Sequence, residues 1–402
     1  MAPGRPSAIR ITLVILSVAI LGAAFYQRAA FNLSRIDYRN SNFVFFWLSG
    51  QMVLSGQNPY DSALWLAAHD ANGINWRPNL IFPYPLPLAA LTAPLGMLPL
   101  PLAYLSWQLV SSALIALVTW ALLSRQRDTR HTRLFVPLVI VLLFFGPVLL
   151  SLQIGSLGAF TLAAVFLALA ALEGERPHLA GLALSLTLLK PPQGLPILLL
   201  IGIWFLARRE WKAILGVGLG ALGLVLLGML IDPHWLSKFG TAGQAVMDRT
   251  LGLQSNAFGF AYHACAGGIG CMWLVGAAAA ALTLSLSAWY LWRRGPSLRP
   301  WEAINLILPA AFFSTLYLWS YDQILYIIPI IWIMLRLIDR THSYLAALGF
   351  LALLIVIAFL ALLSQANTRS DLLSVFTTML VMAGLLTLGP RDPGVAAEGA
   401  TG

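Results

Sequence analysis

The sequence predicts an all-α polytopic membrane protein with about twelve transmembrane helices, and three observations predict it. Hydrophobic residues make up 59% of the 402 and charged residues 10%, against roughly a quarter charged in a soluble domain. Mean hydropathy is +0.82. Apolar runs of the length that crosses a bilayer, about 17 to 25 residues, recur along nearly the whole chain. This composition excludes a soluble enzyme, a disordered chain and a nucleic-acid partner, so the net charge of +9 is read first as membrane topology.

The runs fall near 9–27, 102–123, 134–150, 156–173, 178–190, 193–207, 211–231, 271–292, 302–318, 322–338, 343–363 and 371–388. The first follows Arg5 and Arg10 and exceeds the core of a signal peptide, so it is expected as an uncleaved helix. Lys190-Pro191-Pro192 divides two short runs, which read as two spans, one broken element or a re-entrant pair. The prolines of 85–98 suggest a half-span or an interfacial helix. Sixteen Lys and Arg lie on one side of this map and eight on the other. The loops 125–133 and 207–212 dominate, placing the N- and C-termini in the cytoplasm. One integral-membrane domain is expected over 1–388, with a disordered cytoplasmic tail over 389–402.

Two long segments face outside, 28–101 and 232–270. The first holds FVFFWLSGQMVL (43–54), too short to span and rich in aromatics, which reads as an interfacial helix. No charge falls mid-span, which weighs against an ion-coupled transporter. The spans read as a scaffold for a site at the outer face.

Several outer residues carry two readings. Asp37 is a general base on a hydroxyl, or a helix cap or partner of Arg35 or Arg39. Lys190 snorkels to the headgroups or holds a phosphate. Asp322 in LWSYDQILYIIP caps a helix or accepts from a substrate hydroxyl. Gln153, in SLQIGSLGAF, forms a turn or faces the site. Tyr84 belongs to an aromatic belt or stacks on a sugar ring. Arg249, His263 and Tyr321 complete the polar outer set. Cys265 and Cys271, with five residues between them in the second outer loop, would close a disulfide in an oxidising compartment. No histidine or cysteine spacing suits a metal, and no glycine loop suits a nucleotide. No cofactor is therefore expected.

In order along the chain, these segments resemble glycosyltransferase family 87. IDYRNSNFVFFWLSGQMVLSGQNPYD (36–61) resembles its first-loop pattern, in which an Asp after the first helix precedes a Gly-x-x-Pro-Tyr-Asp-like stretch. FPYPLPLAALTAPLGMLPLPLAYLSW (82–107), Gln153–Gly155, Lys190-Pro191, QSNAFG (254–259, with Asn256) and YDQILYIIP (321–329) follow in the family's order. The resemblance implies a GT-C-type fold and a mannosyltransferase of the cytoplasmic membrane, with its site on the outer or periplasmic side. The implied partners are a polyprenyl-phosphate sugar donor, a lipid-linked or glycan acceptor of the cell envelope, and membrane lipids. Asp37 becomes the base. Lys190 and Arg249 become the groups that hold the donor phosphate. Gln153, Asp322, Tyr321, Asn256, His263 and Tyr84 become candidate substrate contacts. The rival readings are a lipid or polysaccharide transporter (a flippase included) that breaks no bond, and a non-catalytic membrane scaffold.

Overall fold

The structure is a computed structural model, and it describes residues 38–75, 79, 81–125, 138–139, 141–142, 145–250, 252–368 and 370–389. The expected first span, Asp37, part of the 134–150 run and the tail beyond Gly389 lie outside the described residues. Among the described residues there is no strand.

The chain first forms α1 (Phe43–Leu54), α2 (Ser62–Ala71), α3 (Leu86–Gly96) and α4 (Leu100–Ser124). Next come α5 (Gly146–Gln153), α6 (Gly158–Glu173), α7 (Pro177–Ser185), α8 (Pro191–Arg208) and α9 (Trp211–Met229). The second long loop folds into α10 (Trp235–Thr250) and α11 (Ala257–Ala264). The bundle closes with α12 (Ile269–Arg294), α13 (Pro300–Ser314), α14 (Ile327–Thr341), α15 (Tyr344–Thr368) and α16 (Val375–Leu388).

The described residues do not show twelve full spans. Among the described residues six helices are long and apolar enough to cross a membrane, or seven if α5 and α6, bent by 118° at their junction, count as one span. These helices fit a multi-pass membrane protein. The remaining apolar runs among the described residues form shorter helices, and the reason is their place in the bundle. At 1.5 Å per residue, the 15 residues of α13 reach only about 22 Å. Nearly every residue of α13 is nevertheless buried, so protein rather than lipid surrounds it. Five of the six long helices face outward instead, and only Ser320–Thr341 lies mostly inside. Only 17% of the apolar window of α9 and of α12 is buried, against 78% for Ser320–Thr341.

The two ends of the bundle differ in what they hold. At one end Arg125 meets Glu173 at 2.9 Å and Arg336 meets Glu302 at 3.4 Å. There Trp204 also donates to the Gly295 carbonyl at 3.0 Å. The opposite ends of α5, α8, α13 and α15 surround a large cavity.

The segment 43–54 is not an interfacial helix. Phe43, Val44, Phe46 and Leu48 are fully buried, and Phe45, Trp47 and Met52 nearly so. A helix apolar all round belongs inside protein, and α3 covers this one. A Cβ on Gly50 would lie 2.7 Å from the Thr92 carbonyl oxygen, and one on Gly96 would lie 2.4 Å from the Gln51 nitrogen. Two backbones touch there. We predict that Gly96→Ala destabilises the protein by about 1–3 kcal/mol through overpacking. Gly218→Ala on α9, where a Cβ meets nothing within 4 Å, should be neutral or stabilising. Thermal unfolding in detergent checks both, and a Gly96→Ala protein as stable as wild type would refute the close crossing.

Candidate functional site

A cavity of about 920 Å³ opens where five segments distant in sequence converge. Its walls are the start of α1 (Asn42, Phe45), the Pro83–Pro85 stretch, the start of α8, one face of α10 and residues 314–321. Leu150, Ile154, Leu195 and Leu316 make much of the surface apolar. Among the described lining residues two are cations, Lys190 and Arg249, and none is an acid.

Lys190 is placed by the break it creates. Residues Leu186–Leu189 form a 3-10 turn, and Pro191 at the first position of α8 starts a new helix because it needs no N–H partner there. The Lys190 side chain is buried and forms an ion pair with Asp322. Its Nζ also stands 4.8 Å from the centre of the Tyr321 ring. Asp322 is wholly buried; its other carboxylate oxygen accepts the Trp319 N–H at 3.2 Å. Of the two readings from sequence, capping is what this carboxylate does, and it adds an ion pair with Lys190 that the sequence reading did not include. Thr315 fixes the same region by donating to the Pro192 carbonyl.

The segment carrying Asp322 is held from behind. Asp371 accepts from the Ser320 N–H and from Ser374 Oγ at 2.9 Å. Gln323 donates to the Ser374 carbonyl at 2.8 Å, and Ser255 N–H donates to Leu318 O at 3.1 Å. Burial first, then Tyr317 and Asp322, raises the Tyr84 phenol well above its ordinary value, so it stays protonated at neutral pH and able to donate a hydrogen bond.

Helix α10 forms the outer wall. Asp232 anchors its start, accepting from Lys238 Nζ at 2.6 Å, from the His234 N–H at 2.9 Å and from Asn58 Nδ2 at 2.6 Å. Burial alone would raise this carboxyl, but those bonds hold it below the usual carboxylate range. At the far end Arg249 Nη2 donates to Asn79 Oδ1 at 3.2 Å.

Of the residues selected from sequence, Lys190, Arg249, Tyr84 and Tyr321 line this cavity, and Asp322 stands directly behind Lys190. Gln153 does not line it, although Ile154 does. Its carbonyl accepts from Tyr104 Oη at 2.6 Å, and the turn holding it needs glycine at 155 (φ +60°), where a Cβ would strike Phe43. Asn256 caps α11 through the Gly259 N–H at 2.9 Å. His263 Nε2 lies 2.9 Å from the Gly252 carbonyl oxygen. Both fasten their own loop and stand apart from the cavity lining. Cys265 and Cys271 are joined in a disulfide just beyond. Sequence reading missed Thr315, Tyr317 and Trp319, because apolar runs absorbed them. Their visible cue is the alternation of aromatics at 317, 319 and 321. Among the described residues no three His, Cys, Asp or Glu side chains gather to hold a metal ion.

No curated protein and no solved structure matches the chain significantly. A family model does match, over residues 82–316, more than half of the chain. That stretch contains Tyr84, Lys190 and Arg249; the 36–61 and 321–329 segments lie outside it. The model is that of glycosyltransferase family 87, and the chain belongs to that family.

Proposed function

We propose that the protein is an inverting, metal-independent glycosyltransferase that takes a sugar, mannose first among candidates, from a polyprenyl-phosphate carrier. The acceptor is a lipid-linked or cell-envelope glycan at the outer face of the cytoplasmic membrane. The observation that carries this reading is the described lining of the cavity, apolar over much of its surface yet holding two cations and no acid. Such a space suits a ligand that joins a hydrocarbon chain to an anion.

In this scheme Lys190 and Arg249 hold the carrier phosphate, and Tyr321 and Tyr84 face the sugar. The acceptor hydroxyl oxygen attacks the anomeric carbon while the bond from that carbon to the phosphate oxygen breaks. The electron pair leaves on the phosphate, already an anion, so fixed positive charge replaces a general acid. Asp37 takes the acceptor proton. Asp322 positions Lys190 and shares its charge with the incoming phosphate.

Purified protein in EDTA, given radiolabelled polyprenyl-phosphate-mannose and membrane lipids from the native source, should move label into a lipid or glycan and release polyprenyl phosphate. Absence of transfer from a folded sample across a panel of sugar donors would overturn the reading in favour of a transporter.

A further inference from the structure

A second cavity, of about 400 Å³, lies against the same helix from the other side. Tyr38, Arg39, Trp47, Gln51, Asn72 and the stretch from Gly96 to Pro101 line it. At 100° per residue, Asn42 and Phe45 point to one side of α1, and Trp47 and Gln51 to the opposite side. One buried helix therefore separates the two spaces, and the chain entering it, Tyr38 to Asn42, passes from one to the other.

The chemistry of this space differs from that of the first. Asn72 Nδ2 donates to Gln51 Oε1 at 3.1 Å and to the Ala68 carbonyl at 2.9 Å. That bond fixes both amides and leaves Gln51 Nε2 as a donor and Asn72 Oδ1 as an acceptor in the same wall. Neither atom takes a hydrogen bond among the described residues. Trp47 Nε1 is spent on the Leu98 carbonyl at 2.9 Å, so its ring contributes a wall rather than a donor. Tyr38, packed 6.1 Å from Tyr104, supplies a second ring, and Pro99 and Pro101 offer no N–H.

A donor and an acceptor on one wall suit the hydroxyls of a sugar, each of which both gives and takes a proton. Arg39, which also lines this space, adds N–H donors that a hydroxyl oxygen can accept. Aromatic and proline walls suit the CH face of a pyranose. The volume falls in the range of small-ligand pockets, about 300–1,000 Å³.

We infer that this second cavity binds a neutral sugar unit of the glycan acceptor, one remote from the reacting hydroxyl, and that the acceptor crosses the N-terminus of α1 to reach the first cavity. This deepens the transferase reading and rests on it for the word acceptor. The site's affinity for neutral sugars stands apart from that reading. A remote subsite sets acceptor affinity and chain-length preference rather than turnover.

Saturation-transfer NMR on the purified full-length protein, with a panel of neutral hexose disaccharides and trisaccharides, tests it. Wild type should show saturation transfer to at least one of them. Gln51→Ala combined with Asn72→Ala should weaken that binding about tenfold, as loss of two ordinary hydrogen bonds does. Met97→Trp, at an exposed residue of the wall, should block it by filling the space. Arg249→Gln, in the first cavity, should leave it unchanged. No transfer to any saccharide with wild type would overturn the inference, as would binding that survives Met97→Trp or is lost with Arg249→Gln. Failure of the transferase reading would show only in the label-transfer assay, so the two failures are separable.

Discussion

Asp37→Asn should lower sugar transfer about a hundredfold or more while donor binding stays as in wild type. A base that removes a proton in the transition state contributes roughly 10²- to 10⁴-fold, and asparagine keeps the shape of the side chain without its basicity. The loss should fall on kcat. An interaction made only in the transition state changes turnover without weakening the ground state. The measurement is single-turnover label transfer beside equilibrium donor binding in the same detergent. Turnover within a few-fold of wild type would remove Asp37 from the mechanism.

The second large effect concerns the buried ion pair. Lys190→Gln leaves Asp322, which has no exposed surface, as an uncompensated charge. Breaking a buried pair from one side costs about 3–5 kcal/mol, so thermal unfolding should occur at a clearly lower temperature. Loss of activity in that variant alone would say nothing about the phosphate. The informative protein is Lys190→Gln with Asp322→Asn, where two neutral amides occupy the site. Replacing both charges should recover most of the stability. Donor affinity should stay down roughly 10- to 100-fold, because a charge-assisted hydrogen bond to phosphate, worth about 1.5–3 kcal/mol, is still missing. If affinity returns together with stability, Lys190 serves the fold and not the substrate.

Hydropathy made the long outward-facing helices legible, and the same signal misread those inside. Composition cannot tell a helix surrounded by lipid from one surrounded by protein, since both are apolar all round. The segments 43–54 and 302–318 were assigned to a membrane surface and to a span for that reason. Neighbours decide the matter, and for α1 they are α3 and the 104–107 turn of α4, where Tyr104 and Trp107 pack on Phe43. Lys190 and Asp322 were each visible as polar residues at helix ends. Their pairing was not, because 132 residues separate them and each has a sufficient local explanation. The disulfide was easier to read, because its cysteines stand close in one loop. The support behind Asp322 was hidden for another reason. Its bonds run to backbone groups of Ser320 and Ser374, which carry no side-chain signature.

The division of helices into long outward ones and short inward ones bears on how the protein meets its bilayer. Mismatch between a hydrophobic stretch and the surrounding hydrocarbon is relieved mainly by tilt of the helices that touch lipid. Here those helices are α4, α9, α12 and α15, whose exposed leucines include Leu109, Leu222, Leu282 and Leu353. The 314–326 backbone, irregular where it lines the first cavity, is sheltered within the bundle, as non-helical backbone at membrane depth requires. The bilayer also meets α8, which opens at Lys190 and exposes Leu195 and Leu199, whereas Asp322 belongs to the most buried of the candidate spans, Ser320–Thr341. Of the two ion-pair partners, Asp322 thus sits on the segment that a change in bilayer thickness touches least.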